Sequence, residues 1–255
     1  MERVGGEGAG QVESIRKVSL ASFIGTTIEW YDYFLYGTAA ALVFNELFFP
    51  NVDPLIGTLS AFATFAVGFV ARPLGGAIFG HYGDRIGRKA MLVLTLLMMG
   101  IATFLIGLLP TYETIGVWAP ILLVVLRLLQ GFGVGGEWGG AVLLAVEHSP
   151  RDKRGFYGSL IQIGAPAGLL LGTGAFIIVA SLPEEQFLSW GWRVPFLVSV
   201  LLIGVGLFIR LKIPETPAFS QVKESGNEAR IPIVEVFRTY PKNVLLTMGA
   251  RLSEG

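Results

Sequence analysis

The sequence predicts an all-α membrane protein with six transmembrane helices, and three observations predict that class. The 255-residue chain is 53% hydrophobic and only 15% charged, whereas soluble domains are about 45–50% apolar and about 25% charged. Its apolar residues form runs longer than the roughly 18 residues that indicate a membrane-spanning helix. Its charged residues are concentrated in the short segments between these runs.

Residues 18–211 contain the predicted spans, and the segment before them is polar. The spans are predicted at residues 18–44, 56–79, 90–109, 115–146, 157–182 and 192–211. Residues 1–17 are polar and glycine-rich, and they lack the apolar core of a signal peptide. We therefore expect residues 1–17 to form a cytoplasmic N-terminal tail and residues 18–211 to form a six-helix bundle.

Positive charge alternates between the predicted loops, and this predicts the orientation of the chain. The segments 45–55, 110–114 and 181–191 contain no Lys or Arg. The basic residues lie on the other side of the spans: Arg16, Lys17, Arg85, Arg88, Lys89, Arg151, Lys153, Arg154, Arg210 and Lys212. Because positive charge accumulates in cytoplasmic loops, we predict a multi-pass protein of the plasma (inner) membrane with a cytoplasmic N-terminus.

The chain changes character after the sixth span. Residues 212–242 are rich in charge and proline, which predicts a cytoplasmic linker. Apolar residues return from Asn243 to Ala250. Because so short a stretch cannot cross about 30 Å of hydrocarbon, we interpret residues 243–255 as the truncated start of a seventh helix.

Several segments resemble a known family. The loop GHYGDRIGRK (residues 80–89) resembles the signature between helices two and three of the major facilitator superfamily. Further segments resemble the metabolite:proton symporter branch of that superfamily: IEWYDYFLYG (28–37), AFATFAVGFVARPLGGAIFGHYGDRIGRK (61–89), LRLLQGFGVGGEWGGA (126–141) and FLSWGWRVPF (187–196). The resemblance runs along essentially the whole chain from Arg16 onward. It implies a twelve-helix fold in two six-helix halves, of which this chain is the N-terminal half.

The resemblance also implies a function. We expect a proton-coupled secondary active transporter, a symporter, that moves a small organic acid such as shikimate or a dicarboxylate by alternating access. Its partners would be that substrate, protons, the lipid bilayer and the missing C-terminal half. One alternative is a symporter of a zwitterionic osmolyte such as proline or betaine. Another is a non-transporting membrane sensor or scaffold of the same fold, which would have no need of buried charges.

Carboxylates inside the predicted spans are the candidates for proton coupling, because an ionisable group in the bilayer is costly and usually functional. Glu29 and Asp32 are three residues apart on one helix face, about 18 and 22 Å in from Lys17. Two buried carboxylates this close repel one another and resist ionisation, as a proton carrier requires. We predict proton coupling by Asp32, Glu29 and Glu137. A purely structural role is the alternative for each of the three.

Arg127 is the main candidate for substrate binding. It lies about 18 Å in from Ile115, a depth that matches Asp32, so the two side chains are expected to meet in a central cavity. Its planar guanidinium suits a carboxylate, and a permanent ion pair is the alternative. Gln130 completes the Arg-x-x-Gln-Gly pattern that the family resemblance implies. Three further residues are candidates for substrate binding: Tyr36, Trp138 and Gln162.

Charged residues and glycines at the cytoplasmic side are predicted to form a gate. In the loop these are Gly83, Asp84, Arg85, Gly87 and Arg88. Glu147 and Arg154 have a Glu-x6-Arg spacing that resembles that of sugar-porter relatives in the same superfamily, and Pro214-Glu215-Thr216-Pro217 resembles their motif after helix six. These groups are expected to form ion pairs that hold the cytoplasmic side shut and separate when it opens, each contributing only about 1 kcal/mol when exposed.

Other kinds of site have no sequence support. The sequence contains no cysteine, metal-ligating cluster, nucleophile–base pair or phosphate-binding glycine loop. The spacing of Gly131, Gly135 and Gly139 predicts close helix packing instead. We therefore expect no enzyme activity, no metal or cofactor and no nucleic-acid partner.

Overall fold

Every regular element is a helix in the computed structural model, which describes residues 4–213, 215 and 238–252. Of residues 4–14, 16, 138, 248 and 250–252, only the backbone is described. The all-α prediction is confirmed for the described residues.

The longer helices overlap the six predicted spans and the predicted start of a seventh helix. They are α1 (Val4–Leu42), α3 (Pro54–Ile86), α4 (Arg88–Leu108), α6 (Trp118–His148), α7 (Arg154–Gln162), α8 (Gly164–Ala180), α10 (Arg193–Leu211) and α11 (Pro241–Leu252). Short helices connect them: α2 (Phe44–Phe48), α5 (Tyr112–Ile115), a 3-10 turn (Arg151–Lys153), α9 (Glu184–Gln186) and a π-helical turn (Phe187–Gly191). Helix α1 begins at Val4, so the backbone of residues 4–17 is helical and continuous with the first predicted span. The assignment of residues 1–17 to a cytoplasmic tail stays a prediction.

Five stretches of the described chain are long and apolar enough to cross a membrane. They are Pro54–Ile86, Arg88–Leu108, Trp118–His148, Arg151–Ala180 and Arg193–Leu211. Helix α1 is not among them, because Glu29, Asp32 and neighbouring tyrosines make its central segment more polar. The count of six spans therefore stays a prediction.

The turn between α3 and α4 consists of Gly87 alone. Helix α3 extends to Ile86 and α4 begins at Arg88, so most of the predicted loop is helical. Gly87 has φ 120° and ψ 143°, a backbone conformation that is open essentially only to glycine. The glycine at this position is required by the turn itself.

Glycines bring α3 and α6 into backbone contact. A Cβ atom on Gly131 would clash with the backbone of Gly68, and one on Gly135 would clash with the carbonyl of Arg72. The close-packing prediction holds at these two positions, whereas a Cβ on Gly139 would meet no atom within 4 Å. Because the two helices are this close, the side chains of α6 lie directly against α3 and α1.

Helix α8 packs against α1 in the same way. A Cβ on Gly168 would lie 2.7 Å from the carbonyl oxygen of Thr27. The predicted fifth span is interrupted at Ile163, between α7 and α8. Pro166 explains the interruption, because proline lacks the N–H that would donate to the carbonyl of Gln162.

Candidate functional site

Asp32 and Glu29 lie inside the bundle, as predicted. Their exposed fractions are 4% and 6%. The Oδ2 atom of Asp32 accepts a hydrogen bond from the hydroxyl of Thr103 on α4, with an O–O distance of 2.7 Å. The Oδ1 atom of Asp32 and Oε2 of Glu29 are buried and have no hydrogen-bond partner among the described residues. A buried carboxylate oxygen without a donor favours a carboxyl group that gains and loses a proton.

The guanidinium of Arg127 contacts two aromatic rings that stack on each other. Its Cζ atom is 4.4 Å from the ring centre of Tyr36 and 4.6 Å from that of Phe65. Its Nε donates to the carbonyl oxygen of Phe65 at 3.4 Å. A Cβ on Gly68 would lie 2.8 Å from this nitrogen, so the glycine leaves the room that the guanidinium occupies. The side chain is 5% exposed, and the rings stabilise its charge by cation–π contact.

Asp32 and Arg127 are joined indirectly, through Gln130 and Thr103. Arg127 Nη1 donates to Gln130 Oε1 at 3.1 Å, and Gln130 Nε2 donates to the hydroxyl of Thr103 at 2.6 Å. The hydroxyl of Thr103 in turn contacts Asp32. Among the described contacts no direct ion pair joins Asp32 and Arg127. Both side chains thus occupy one polar centre, with Gln130 and Thr103 as the bridge.

A small cavity adjoins this polar centre. Its lining includes Glu29, Asp32, Tyr33, Arg72, Arg127 and Gln130. The space open to the centre of a water-sized sphere is about 10 Å³, close to the minimum for one water molecule. In this conformation the cavity is too small for an organic acid.

Arg72 is a charged residue of this centre that the sequence reasoning did not select. Its Cζ lies 4.5 Å from the ring centre of Phe69 and 5.7 Å from that of Tyr33. The signal was visible in the sequence, because Arg72 is the one charged residue between Ile56 and Phe79.

Glu137 belongs to a second buried cluster, with Arg210 of α10. The two side chains form a two-point ion pair that includes a 2.9 Å contact between Arg210 Nη1 and Glu137 Oε2. Thr95 donates to Glu137 at 2.9 Å, and Arg210 also donates to the carbonyl of Leu92. Glu137 is fully buried. The cluster supports the structural alternative for Glu137, and its role in proton coupling stays a prediction.

The substrate-binding candidates lie in different environments. Tyr36 is fully buried, and its hydroxyl is 2.6 Å from that of Thr64, so its ring serves as a face for Arg127. Gln130 belongs to the polar centre. Gln162 is exposed on α7, and the side chain of Trp138 lies outside the described residues. Among the candidates whose side chains are described, Tyr36 and Gln130 contact Arg127.

Most of the gate candidates lie at the turn formed by Gly87 or contact it. Arg88 forms an ion pair with Glu147, and its Nη2 is 3.7 Å from Asp84 Oδ1. Gly83 is buried against Met91. Arg85 and Arg154 are exposed. Among the described ion pairs, Glu147 is paired with Arg88 and none joins it to Arg154.

Glu215 ties the segment after α10 to the same turn. Its carboxylate accepts from the backbone N–H groups of Arg88 and Lys89, each at 3.2 Å. Lys89 Nζ donates to the carbonyl of Leu211 at 2.8 Å. The carboxylate caps the start of α4, where helix N–H groups lack partners. The other residues of the Pro-Glu-Thr-Pro segment lie outside the described residues.

Known proteins resemble this chain in sequence and in fold. The family model described as "Sugar (and other) transporter" matches residues 17–236. The shikimate transporter of Escherichia coli (strain K12) is 53% identical over 251 residues, which cover 97% of this chain and 57% of the relative. The proline/betaine transporter of the same strain is 46% identical over 245 residues, covering 92% of this chain and 49% of the relative.

The fold comparison agrees with the sequence comparison. The structure of the major facilitator superfamily proton:xylose symporter XylE bound to 6-bromo-6-deoxy-D-glucose matches with a TM-score of 0.72 at 18% identity. The match covers 84% of this chain and 47% of XylE. The chain therefore spans about half the length of the curated relatives and of the transporter structure that it matches.

Proposed function

The chain belongs to the sugar (and other) transporter family of the major facilitator superfamily, and from this membership we propose that it forms the first half of a proton-coupled symporter. The transported substrate is a small organic acid such as shikimate or a dicarboxylate. Transport proceeds by alternating access, with Asp32 as the main proton carrier and Arg127 as the group that binds the substrate carboxylate.

One observation carries this proposal: a buried carboxylate and a buried guanidinium share one hydrogen-bonded centre. An ionised Asp32 stabilises Arg127 through Gln130 and Thr103. A protonated Asp32 no longer does so, and Arg127 then favours an incoming carboxylate. Proton binding thereby promotes substrate binding, which is the positive coupling that symport requires. Glu29 is a second proton acceptor on the same helix face.

The substrate class follows from the guanidinium and from the relatives. Arg127 contacts aromatic faces and Gln130. Its planar, positively charged guanidinium therefore suits a carboxylate group of the substrate. The similarity to the shikimate transporter favours a hydroxylated carboxylic acid. Trp138 and Gln162 stay proposals for the substrate path.

A zwitterionic osmolyte is the second candidate. The rings of Trp30, Tyr33, Phe34 and Phe65 form a chain of contacts, and Tyr33 lines the small cavity together with Glu29 and Asp32. Aromatic faces near carboxylates suit a quaternary ammonium group, and Arg127 would bind the carboxylate of the same molecule. The similarity to the proline/betaine transporter supports this candidate. A sensor or scaffold is disfavoured, since such a protein would gain stability by replacing the buried charges with apolar residues.

We propose the sequence-based topology for the intact protein. Residues 18–211 contribute six spans with a cytoplasmic N-terminus, residues 212–242 a cytoplasmic linker, and residues 243–255 the start of a seventh helix. The ion pairs around Gly87 then form part of a cytoplasmic gate in the plasma (inner) membrane. The described residues alone enclose a space for about one water molecule beside Asp32 and Arg127. A second six-helix half would complete the substrate cavity.

A substrate screen tests the proposed function. Full-length protein is reconstituted in proteoliposomes, and radiolabelled shikimate, dicarboxylates, citrate, proline and betaine are offered with and without an inwardly directed proton gradient. The gradient should increase accumulation of an organic acid, and alkalinisation outside the vesicles should accompany uptake. Accumulation of betaine or proline alone would select the second candidate. Absence of proton-driven accumulation for every compound would contradict the proposal.

A further inference from the structure

The hydroxyl of Thr103 has three polar neighbours. It lies 2.7 Å from Asp32 Oδ2, 3.0 Å from the carbonyl oxygen of Met99 and 2.6 Å from Gln130 Nε2. Thr103 is fully buried on α4, so water does not replace any of these contacts. A hydroxyl donates one hydrogen bond and accepts two, which makes the direction of each contact decisive.

Arg127 sets the direction of the contacts. A guanidinium only donates, so the atom of Gln130 that faces Arg127 is its oxygen, and the amide nitrogen faces Thr103. The hydroxyl must accept from Gln130. Its own proton is left for one of two acceptors, Asp32 or the carbonyl of Met99.

We propose that Thr103 is the positioning residue of proton coupling: its hydroxyl rotates between Asp32 and the carbonyl of Met99 as Asp32 loses and gains its proton. The proposal rests on the proposed role of Asp32 as proton carrier. With Asp32 ionised, the hydroxyl donates to Oδ2, and every donor from Arg127 to Asp32 points toward the negative charge.

Protonation of Asp32 reverses the last link of this chain. A proton on Oδ2 donates to the oxygen of Thr103, and the proton of Thr103 turns to the carbonyl of Met99. The number of protons in the chain rises by the one that Asp32 has taken up, and every donor keeps a partner. A proton on Oδ1 would be a buried donor without an acceptor among the described residues, so Oδ2 is the favoured position.

The reversal transmits the charge state of Asp32 to Arg127. In the ionised state the aligned bonds strengthen one another and hold Gln130 against the guanidinium. In the protonated state Asp32 carries no negative charge, and the hydrogen bond between Gln130 and Arg127 weakens. Substitution of Thr103 therefore affects both the proton and the substrate site without touching either ligand.

Other charged groups act on Asp32 from the neighbouring helices. The ionisable residues that line the adjoining cavity are Glu29 and Tyr33 from α1, Arg72 from α3 and Arg127 from α6. Tyr31 donates to the carbonyl of Pro195, and Arg210 is held by Glu137. Helices α4 and α8 have no ionisable side chain beside Asp32. Variants of Thr103 leave all of these groups in place.

The test compares Thr103→Val, Thr103→Ser and Thr38→Val in the purified full-length protein. Valine keeps the shape of threonine and removes the hydroxyl, while serine keeps the hydroxyl. Thr38 is the matched control, because its hydroxyl donates only within α1, to the carbonyl of Phe34 at 2.8 Å. Infrared difference spectroscopy follows the carboxyl band of Asp32 against pH, identified by its loss in Asp32→Asn. Proton-driven uptake is measured on the same preparations.

In Thr103→Val we expect the midpoint of the Asp32 band to move to higher pH by about one unit, because the ionised form loses its donor. Uptake should fall about tenfold or more, as for the loss of a hydrogen bond to a charged group. Thr103→Ser and Thr38→Val should match the wild type in both measurements. An unchanged midpoint in a folded Thr103→Val protein overturns the proposal, as does a Thr103→Ser protein that titrates like Thr103→Val.

The two readouts separate this inference from the proposed function. A wild-type protein without proton-driven uptake of any tested substrate refutes the symporter, whereas the infrared titration still decides whether Thr103 holds Asp32. If Thr103→Val does not fold, the midpoint of Thr103→Ala decides in its place.

Discussion

The buried ion pair of Glu137 and Arg210 leads to a stability prediction. Glu137 is completely buried and Arg210 is 4% exposed. Removing one member of such a pair leaves an uncompensated charge and typically costs about 3–5 kcal/mol. Glu137→Gln keeps the size of the side chain but leaves Arg210 charged, and Arg210→Met leaves Glu137 charged. We expect each variant to lower the free energy of unfolding by about 3 kcal/mol or more.

The double variant supplies the control. Glu137→Gln with Arg210→Met removes both charges together, so its loss should be smaller than the sum of the single losses by at least about 2 kcal/mol. The measurement is SDS-driven unfolding of the purified full-length protein in mixed micelles, followed by tryptophan fluorescence.

One result would refute this reasoning. If the free energy of unfolding of both single variants is within about 1 kcal/mol of the wild-type value, the ion pair does not stabilise the packing of α6 against α10 as its burial suggests. A stable Glu137→Gln protein whose uptake has lost its pH dependence would instead restore Glu137 as a proton site.

Three further predictions concern the turn, the topology and the substrate site. Gly87→Ala should destabilise the protein by about 1–3 kcal/mol, because φ 120° strains a residue with a Cβ; Gly80→Ala, where a Cβ meets nothing within 4 Å, should be neutral or slightly stabilising in the same unfolding assay. Cysteines introduced at Asn51 and Glu185 should react with an impermeant maleimide outside intact cells and one at Lys153 should not; reversed labelling would refute the orientation. Arg127→Lys should raise the KM for substrate about tenfold and alter the pH dependence of uptake less than it weakens binding, since lysine keeps the charge but lacks the planar fork; an unchanged KM would remove Arg127 from the substrate site.

The depth of the central charges could be predicted from the sequence. Residue counts and the rise of a helix place Asp32 and Arg127 at similar depths, and the structure joins them in one centre. The positive φ of Gly87 is also consistent with the glycine-rich loop. These features depend on local spacing, which a single sequence contains.

The bridge between the charges could not be predicted. Thr103 lies on α4, and its contact with Asp32 depends on how α1, α4 and α6 rotate about their axes. Backbone contacts such as that of Gly131 with Gly68 set those rotations. The contact between Arg210 and Glu137 could not be predicted for the same reason, because it depends on the rotation of α6 and α10. Helix rotation also determines that Gln162 is exposed on α7, which the sequence alone does not show.

The coupling role of Asp32 is the central claim, and one measurement tests it most directly. Full-length Asp32→Asn protein is placed in proteoliposomes, and proton-driven accumulation is compared with exchange of preloaded substrate. Asparagine mimics the protonated carboxyl, so we predict that uphill accumulation is lost while exchange, which needs no net proton movement, continues. Accumulation at the wild-type level in Asp32→Asn would contradict the account, and Glu29 or Glu137 would then be the candidates for the proton carrier.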